Sequence, residues 1–122
     1  MKKKILIVDD EKAMVALMSG RLEAAGYEVF SANDGKNGVK LAREKKPDLI
    51  LLDIMMPGMD GVEMSRSLQE QPATRGIPVI FITSLKTAEE EKTLGKSGNR
   101  IFAKPIDPKV LLSEIEQIVQ SS

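Results

Sequence analysis

A chain of 122 residues has the size of one domain and is long enough to bury a proper core. Its 18 basic and 18 acidic residues cancel, which argues against the charge bias of a nucleic-acid or membrane-binding surface. It has no cysteine and no histidine, so disulfides, thiolate or imidazole metal sites, thiol nucleophiles and histidine acid–base chemistry are excluded.

The amino-terminal Lys2-Lys3-Lys4 followed by Ile5 to Val8 starts like a signal peptide, but Asp9-Asp10-Glu11 ends the apolar run too early. No segment is long enough to span a bilayer. A cytoplasmic protein with neither a membrane nor a nucleic-acid partner is expected.

Lys4 to Val8 is β-branched and apolar, a candidate buried strand. Met14, Leu17, Met18, Leu22 and Ala25 recur at helical spacing and predict a helix over Lys12 to Ala25, stopped by Gly26. Tyr27 to Ala32 predicts a short strand. Asn33-Asp34-Gly35 starts a second helix, carrying Val39, Leu41 and Ala42, which must end before Pro47. Leu49-Ile50-Leu51-Leu52 is an unbroken apolar run of the kind buried on both faces, and it ends in Asp53. Pro57-Gly58 breaks the chain after it. Gly61 to Gln71 predicts a third helix and Pro72 to Pro78 a connection. Val79 to Ile82 predicts another buried strand, ending in Thr83-Ser84. Ala88 to Lys96 is a weak fourth helix, Ile101 to Ala103 a fifth strand ending at Lys104-Pro105. Asp107-Pro108 opens a last helix with an inner face of Val110, Leu111, Ile115, Ile118 and Val119.

Five strand–helix alternations predict an α/β protein with a doubly wound parallel sheet, (βα)5, covered by helices on both faces. One domain over 1–122, with no output domain, is expected.

In a parallel sheet the carboxyl ends of the strands share one edge, where open α/β sheets bind their ligands. Asp9 and Asp10 follow the first strand, Asp53 the third, Thr83 the fourth and Lys104 the fifth. Each alone has a mundane explanation: a helix cap for the acids and Thr83, surface charge for Lys104. All five together are hard to explain by capping. Clustered acids repel one another unless a cation intervenes. With only oxygen ligands available, Mg²⁺ is the natural choice, held by Asp9, Asp10, Asp53 and a backbone carbonyl just past Asp53, that of Met55. The set suits phosphoryl transfer to a carboxylate: Asp53 as nucleophile, Mg²⁺ and Lys104 neutralising the transferred group, Thr83 donating a hydrogen bond to it.

The chain resembles the receiver domain of two-component response regulators over its whole length. Asp9-Asp10 matches the family's acidic pair and Asp53 its phosphoacceptor. Asp53-Ile54-Met55-Met56-Pro57-Gly58-Met59-Asp60-Gly61 is close to the signature that follows, and Thr83 and Lys104-Pro105 match the conserved hydroxyl and lysine. The resemblance implies a flavodoxin-like sheet of order 2-1-3-4-5. It also implies phosphorylation by a sensor histidine kinase or a histidine phosphotransfer protein. The downstream target protein would bind at the fourth helix, fifth strand and fifth helix. The chain would then be no enzyme beyond catalysing its own phosphorylation and dephosphorylation. By the same resemblance Met55 and Leu85 flank the phosphoryl group; both are apolar and predict slow dephosphorylation. Where the family often has an aromatic switch residue three before the lysine, this chain has Ile101; Phe102 should point to the opposite side of the strand.

Three other readings compete. An aspartyl-phosphate phosphatase of the haloacid dehalogenase type also uses a strand-end Asp and Mg²⁺, but it needs a second acid where this chain has Met55, and a cap domain. A flavodoxin-like cofactor carrier needs a phosphate loop where this chain has Asp9-Asp10-Glu11. A receiver-like scaffold that is never phosphorylated would not need the complete residue set.

Overall fold

The computed structural model describes residues 2–54, 61–83, 100–103 and 107–120. Five parallel strands, β1 (Lys4–Val8), β2 (Glu28–Ala32), β3 (Leu49–Asp53), β4 (Val79–Thr83) and β5 (Arg100–Ala103), form one sheet in the order β2-β1-β3-β4-β5. The described helices are α1 (Lys12–Ala24), α2 (Gly35–Lys45), α3 (Gly61–Glu70) and α4 (Pro108–Gln120). The helix predicted over Ala88 to Lys96 lies outside the described residues.

The apolar runs are unbroken because the central strands are covered on both sides. Alternate residues enter two cores. Leu6, Val8, Ile50, Leu52 and Phe81 pack with Val39, Ala42, Met64 and Leu68 of α2 and α3. Ile5, Ile7, Leu49, Leu51, Ile80 and Ile82 pack with Met18 and Leu22 of α1 and with Leu111, Ile115 and Val119 of α4. On β5, Ile101 packs into the first core and Phe102 into the second, so the two point apart as the strand period requires.

Helix ends explain the boundaries. After α1 the Gly26 N–H donates to the Glu23 carbonyl at 3.0 Å and the Tyr27 N–H to the Leu22 carbonyl at 3.1 Å, with Gly26 at φ 98°. This left-handed cap draws Tyr27 into the helix end, so β2 begins at Glu28 and not at Tyr27. Asp34 caps α2 by accepting from the Asn37 N–H at 2.8 Å. Asp107 accepts from the Lys109 N–H at 2.9 Å ahead of Pro108, the first residue of α4.

Two large apolar residues expected inside are outside. Leu17 is 53% exposed and Val110 48%. Each lies one residue, about 100° of helix rotation, from the stripe that is buried: Met18 and Leu22 in α1, Leu111, Ile115 and Val119 in α4. Ala25, also expected on the inner face of α1, is exposed and serves as the residue that ends the helix. Among the described residues no helix is long and apolar enough to cross a membrane.

Candidate functional site

Register brings the acids together. Val8 of β1 pairs with Leu52 of β3, so the next residues of the two strands, Asp9 and Asp53, emerge side by side. Strand alternation puts Asp9 in line with Ile5 and Ile7 and Asp53 in line with Leu49 and Leu51, all on the face covered by α1. Asp9 and Asp53 are 2% and 3% exposed, whereas Asp10 is exposed. One carboxylate oxygen from each of the three lies within 4.8 Å of the others.

The backbone holds these acids firmly. The Asp9 N–H donates to the Ala32 carbonyl at 3.2 Å, extending the β1–β2 ladder past Val8. The Asp9 Oδ1 accepts from the Glu11 N–H at 2.9 Å, ahead of α1. Asp9 thus satisfies a backbone amide just ahead of α1, but it is not the cap: α1 starts from Glu11, with no side-chain cap hydrogen bond. Asp53 pairs with Ile82, and the next residue, Ile54, donates its N–H to the Ile82 carbonyl at 2.9 Å. The Ile54 carbonyl then accepts from the Gly61 N–H at 3.0 Å, which ties the start of α3 to the end of β3.

The donor set fits a hard divalent cation. Mg²⁺ takes oxygen ligands at about 2.1 Å in octahedral geometry, so neighbouring ligands stand roughly 3 Å apart and opposed ones roughly 4 Å. Three oxygens within 4.8 Å of one another would move inward, by up to about 2 Å, to share such an ion.

Thr83 closes β4 at the same edge of the sheet, opposite Ala103 of β5 and one residue past the Asp53–Ile82 pair. Lys104 follows the last residue of β5 but, like Met55 and Leu85, lies outside the described residues. The structure therefore assembles Asp9, Asp10 and Asp53 and places Thr83 at their edge.

In the sequence Gly61 starts the third helix and ends the stretch that resembles the family signature. A side-chain carbon there would lie 2.6 Å from the Asp53 carbonyl oxygen and 2.6 Å from the Ile54 Cα. Pro57-Gly58 breaks the chain after Asp53, but nothing in the sequence around Gly61 reveals this contact.

The profile of the response regulator receiver domain matches residues 5–116. The chain belongs to this family. Protein PilH of Pseudomonas aeruginosa is 41% identical over 118 residues, covering 95% of this chain and 97% of PilH. The alkaline phosphatase synthesis transcriptional regulatory protein PhoP of Bacillus subtilis is 38% identical over 124 residues; the match takes in all of this chain and 50% of PhoP, so the chain spans half the length of that relative. Among solved structures, the chemotaxis protein CheY4 of Vibrio cholerae superposes with a TM-score of 0.88 at 28% identity, covering 97% of this chain and 99% of that one. The resemblance read from Asp9-Asp10, Asp53, Thr83 and Lys104 is thereby borne out at the level of family, and the 2-1-3-4-5 sheet at the level of fold.

Proposed function

We propose that this receiver domain accepts a phosphoryl group on Asp53 from the phosphohistidine of a sensor kinase or a histidine phosphotransfer protein, and signals through an altered protein-binding surface. The observation that carries this reading is the convergence of Asp9, Asp10 and Asp53 within 4.8 Å at the carboxyl edge of the sheet of a receiver-family chain. An Asp53 oxygen attacks phosphorus; an O–P bond forms as the P–N bond to the donor imidazole breaks, and the imidazole nitrogen leaves with the electron pair. Asp9, Asp10 and Asp53 would hold Mg²⁺, with the Met55 carbonyl as a further ligand. When bound, the ion supplies charge neutralisation for the transferred oxygens. Lys104 adds a second positive charge, and the Thr83 hydroxyl donates a hydrogen bond to the phosphoryl group.

The domain acts as a switch and not as an enzyme on other substrates. Phosphorylation pulls on the connections that follow Thr83 and precede α4, so the target protein docks on the surface running from Thr83 through α4, including β5. The experiment is a phosphotransfer assay against the host's purified histidine kinases, paired with phosphate release from generic monoesters. Rapid transfer from one kinase with no multiple-turnover hydrolysis is expected. Sustained hydrolysis of monoesters would favour the haloacid dehalogenase type of phosphatase. On phosphorylation, hydrogen exchange should change between residues 83 and 120; a change confined to residues 12 to 46 would refute the surface.

A further inference from the structure

The start of α3 rests directly on the peptide that carries Asp53. A carbon added at Gly61 would meet the Asp53 carbonyl oxygen at 2.6 Å, the Ile54 Cα at 2.6 Å and the Asp53 carbonyl carbon at 3.1 Å. All three are main-chain atoms, which cannot swing aside as the end of a side chain can. Neither partner has room to retreat. The Asp53–Ile54 peptide is held on its other side by the Ile54 N–H bond to β4, and β3 is flanked by β1 and β4. The helix is pinned by Met64 and Leu68, at 0% and 1% exposure.

We propose that Gly61 is the positioning residue for the phosphoryl acceptor: its missing side chain sets how far the end of β3 advances, and so where the Asp53 carboxylate stands relative to Asp9 and Asp10. This rests on the acceptor role proposed above for Asp53. A cation with ligands at about 2.1 Å fixes how close the three carboxylate oxygens must come, so the reach of Asp53 matters to binding it. A displacement of about 1 Å at a reacting group can cost about 100-fold in rate.

Two controls separate position from stability. Gly38 is also crowded, but by side chains and not by main chain: Met64 Cε at 2.8 Å, Val8 Cγ2 at 2.9 Å and Met64 Sδ at 3.0 Å. Leu68 lies about 10 Å along α3 from Gly61, so Leu68→Ala loosens the core away from the site.

The experiment measures Mg²⁺ affinity by calorimetry, and the single-turnover rate constant of phosphorylation at saturating small phosphodonor, in wild type, Gly61→Ala, Gly38→Ala and Leu68→Ala, each verified as folded. Gly61→Ala is expected to bind Mg²⁺ at least about tenfold more weakly and to be phosphorylated more slowly at saturating Mg²⁺, while both controls stay within about twofold of wild type despite reduced thermal stability. Wild-type affinity and phosphorylation rate constant in folded Gly61→Ala would overturn the proposal, as would an equal loss in Leu68→Ala. If Gly61→Ala does not fold, it is remade with Lys46→Gly, which relieves a left-handed backbone at φ 48°. Failure to fold there too would overturn the proposal, because Gly61 would then serve the whole fold. A wild type that binds no Mg²⁺ and takes no phosphoryl group would instead remove the acceptor reading itself, and this inference with it.

Discussion

Replacing Asp53 by Asn removes a negative charge from a place where three carboxylate oxygens lie within 4.8 Å of one another. Two unit charges at that separation repel by about 1 kcal/mol in bulk water and by about 3.5 kcal/mol at an effective dielectric of about 20. The Asp9–Asp53 pair is almost closed off from solvent and belongs nearer the larger figure; Asp10 is exposed, and its share is screened toward the smaller. Against this stands the loss of the favourable contacts of the Asp53 carboxylate, of the size of a charge-assisted hydrogen bond, roughly 1.5–3 kcal/mol. Metal-free Asp53→Asn is therefore expected to be more stable than wild type by about 1 kcal/mol, or roughly 4 °C in melting temperature for a domain of this size. Mg²⁺ should reverse the order. At a hundred times its dissociation constant it adds about 2.7 kcal/mol to a protein that binds it only when folded, and the variant has lost one ligand. The assay is urea unfolding followed by circular dichroism, once in chelator and once in Mg²⁺. A variant less stable than wild type in chelator, or one that gains as much from Mg²⁺, would refute the account of three mutually repelling acids around a cation.

Other outcomes follow from single features. The Tyr27 hydroxyl is held above the usual tyrosine range, first by its burial and then by the Glu116 carboxylate. Its folded value is raised, so the stability it contributes is complete below the ordinary value of about 10 and is lost as pH rises through the folded value. Tyr27 is the only tyrosine and there is no tryptophan, so an ultraviolet absorbance titration reads it directly; Glu116→Gln should lower the midpoint but leave it above that of a free tyrosine. Lys46 ends α2 at φ 48°, and Lys46→Gly should stabilise the protein by about 0.5–1 kcal/mol in thermal unfolding; a loss of stability would show that the lysine side chain contributes more than its backbone strain costs. Met55→Asn with Leu85→Glu should speed loss of the phosphoryl group by about tenfold, or roughly 1.4 kcal/mol off the barrier, in a time course of phosphate release. An unchanged lifetime would show that shielding by these two residues is not what sets it.

The buried strands were the most legible part of the chain. Ile5 to Val8, Leu49 to Leu52 and Val79 to Ile82 are covered on both faces, so burial is written as an unbroken apolar run that nothing on the surface would tolerate. The strand-end acids were legible for the same reason, since a run that stops on Asp9 or Asp53 fixes which end of the strand the carboxylate occupies. Helix faces were less so. Leu17 and Val110 are apolar, but each sits about 100° from the stripe its helix buries, and the composition of α1, with exposed Ala13, Ala16 and Ala24 beside exposed Leu17, blurs the line between faces. The sheet order came from family resemblance, because five similar strands carry no local mark of their neighbours. The role of Gly61 was invisible because its contact spans the whole connection from β3 to α3, a distance that neither periodicity nor turn chemistry reports.

In the reading proposed here Asp53 is the acceptor, and Mg²⁺ bound with Asp9 and Asp10 is required for its phosphorylation. The most direct measurement is the intact mass of the protein after incubation with a small phosphodonor, with the modified residue mapped after reductive trapping of the acyl phosphate. One added phosphoryl group is expected, located on Asp53, absent in chelator, absent in Asp53→Asn and strongly reduced in Asp10→Ala. A phosphoryl group found at full level on Asp53→Asn, or on the wild type in chelator, would contradict the account.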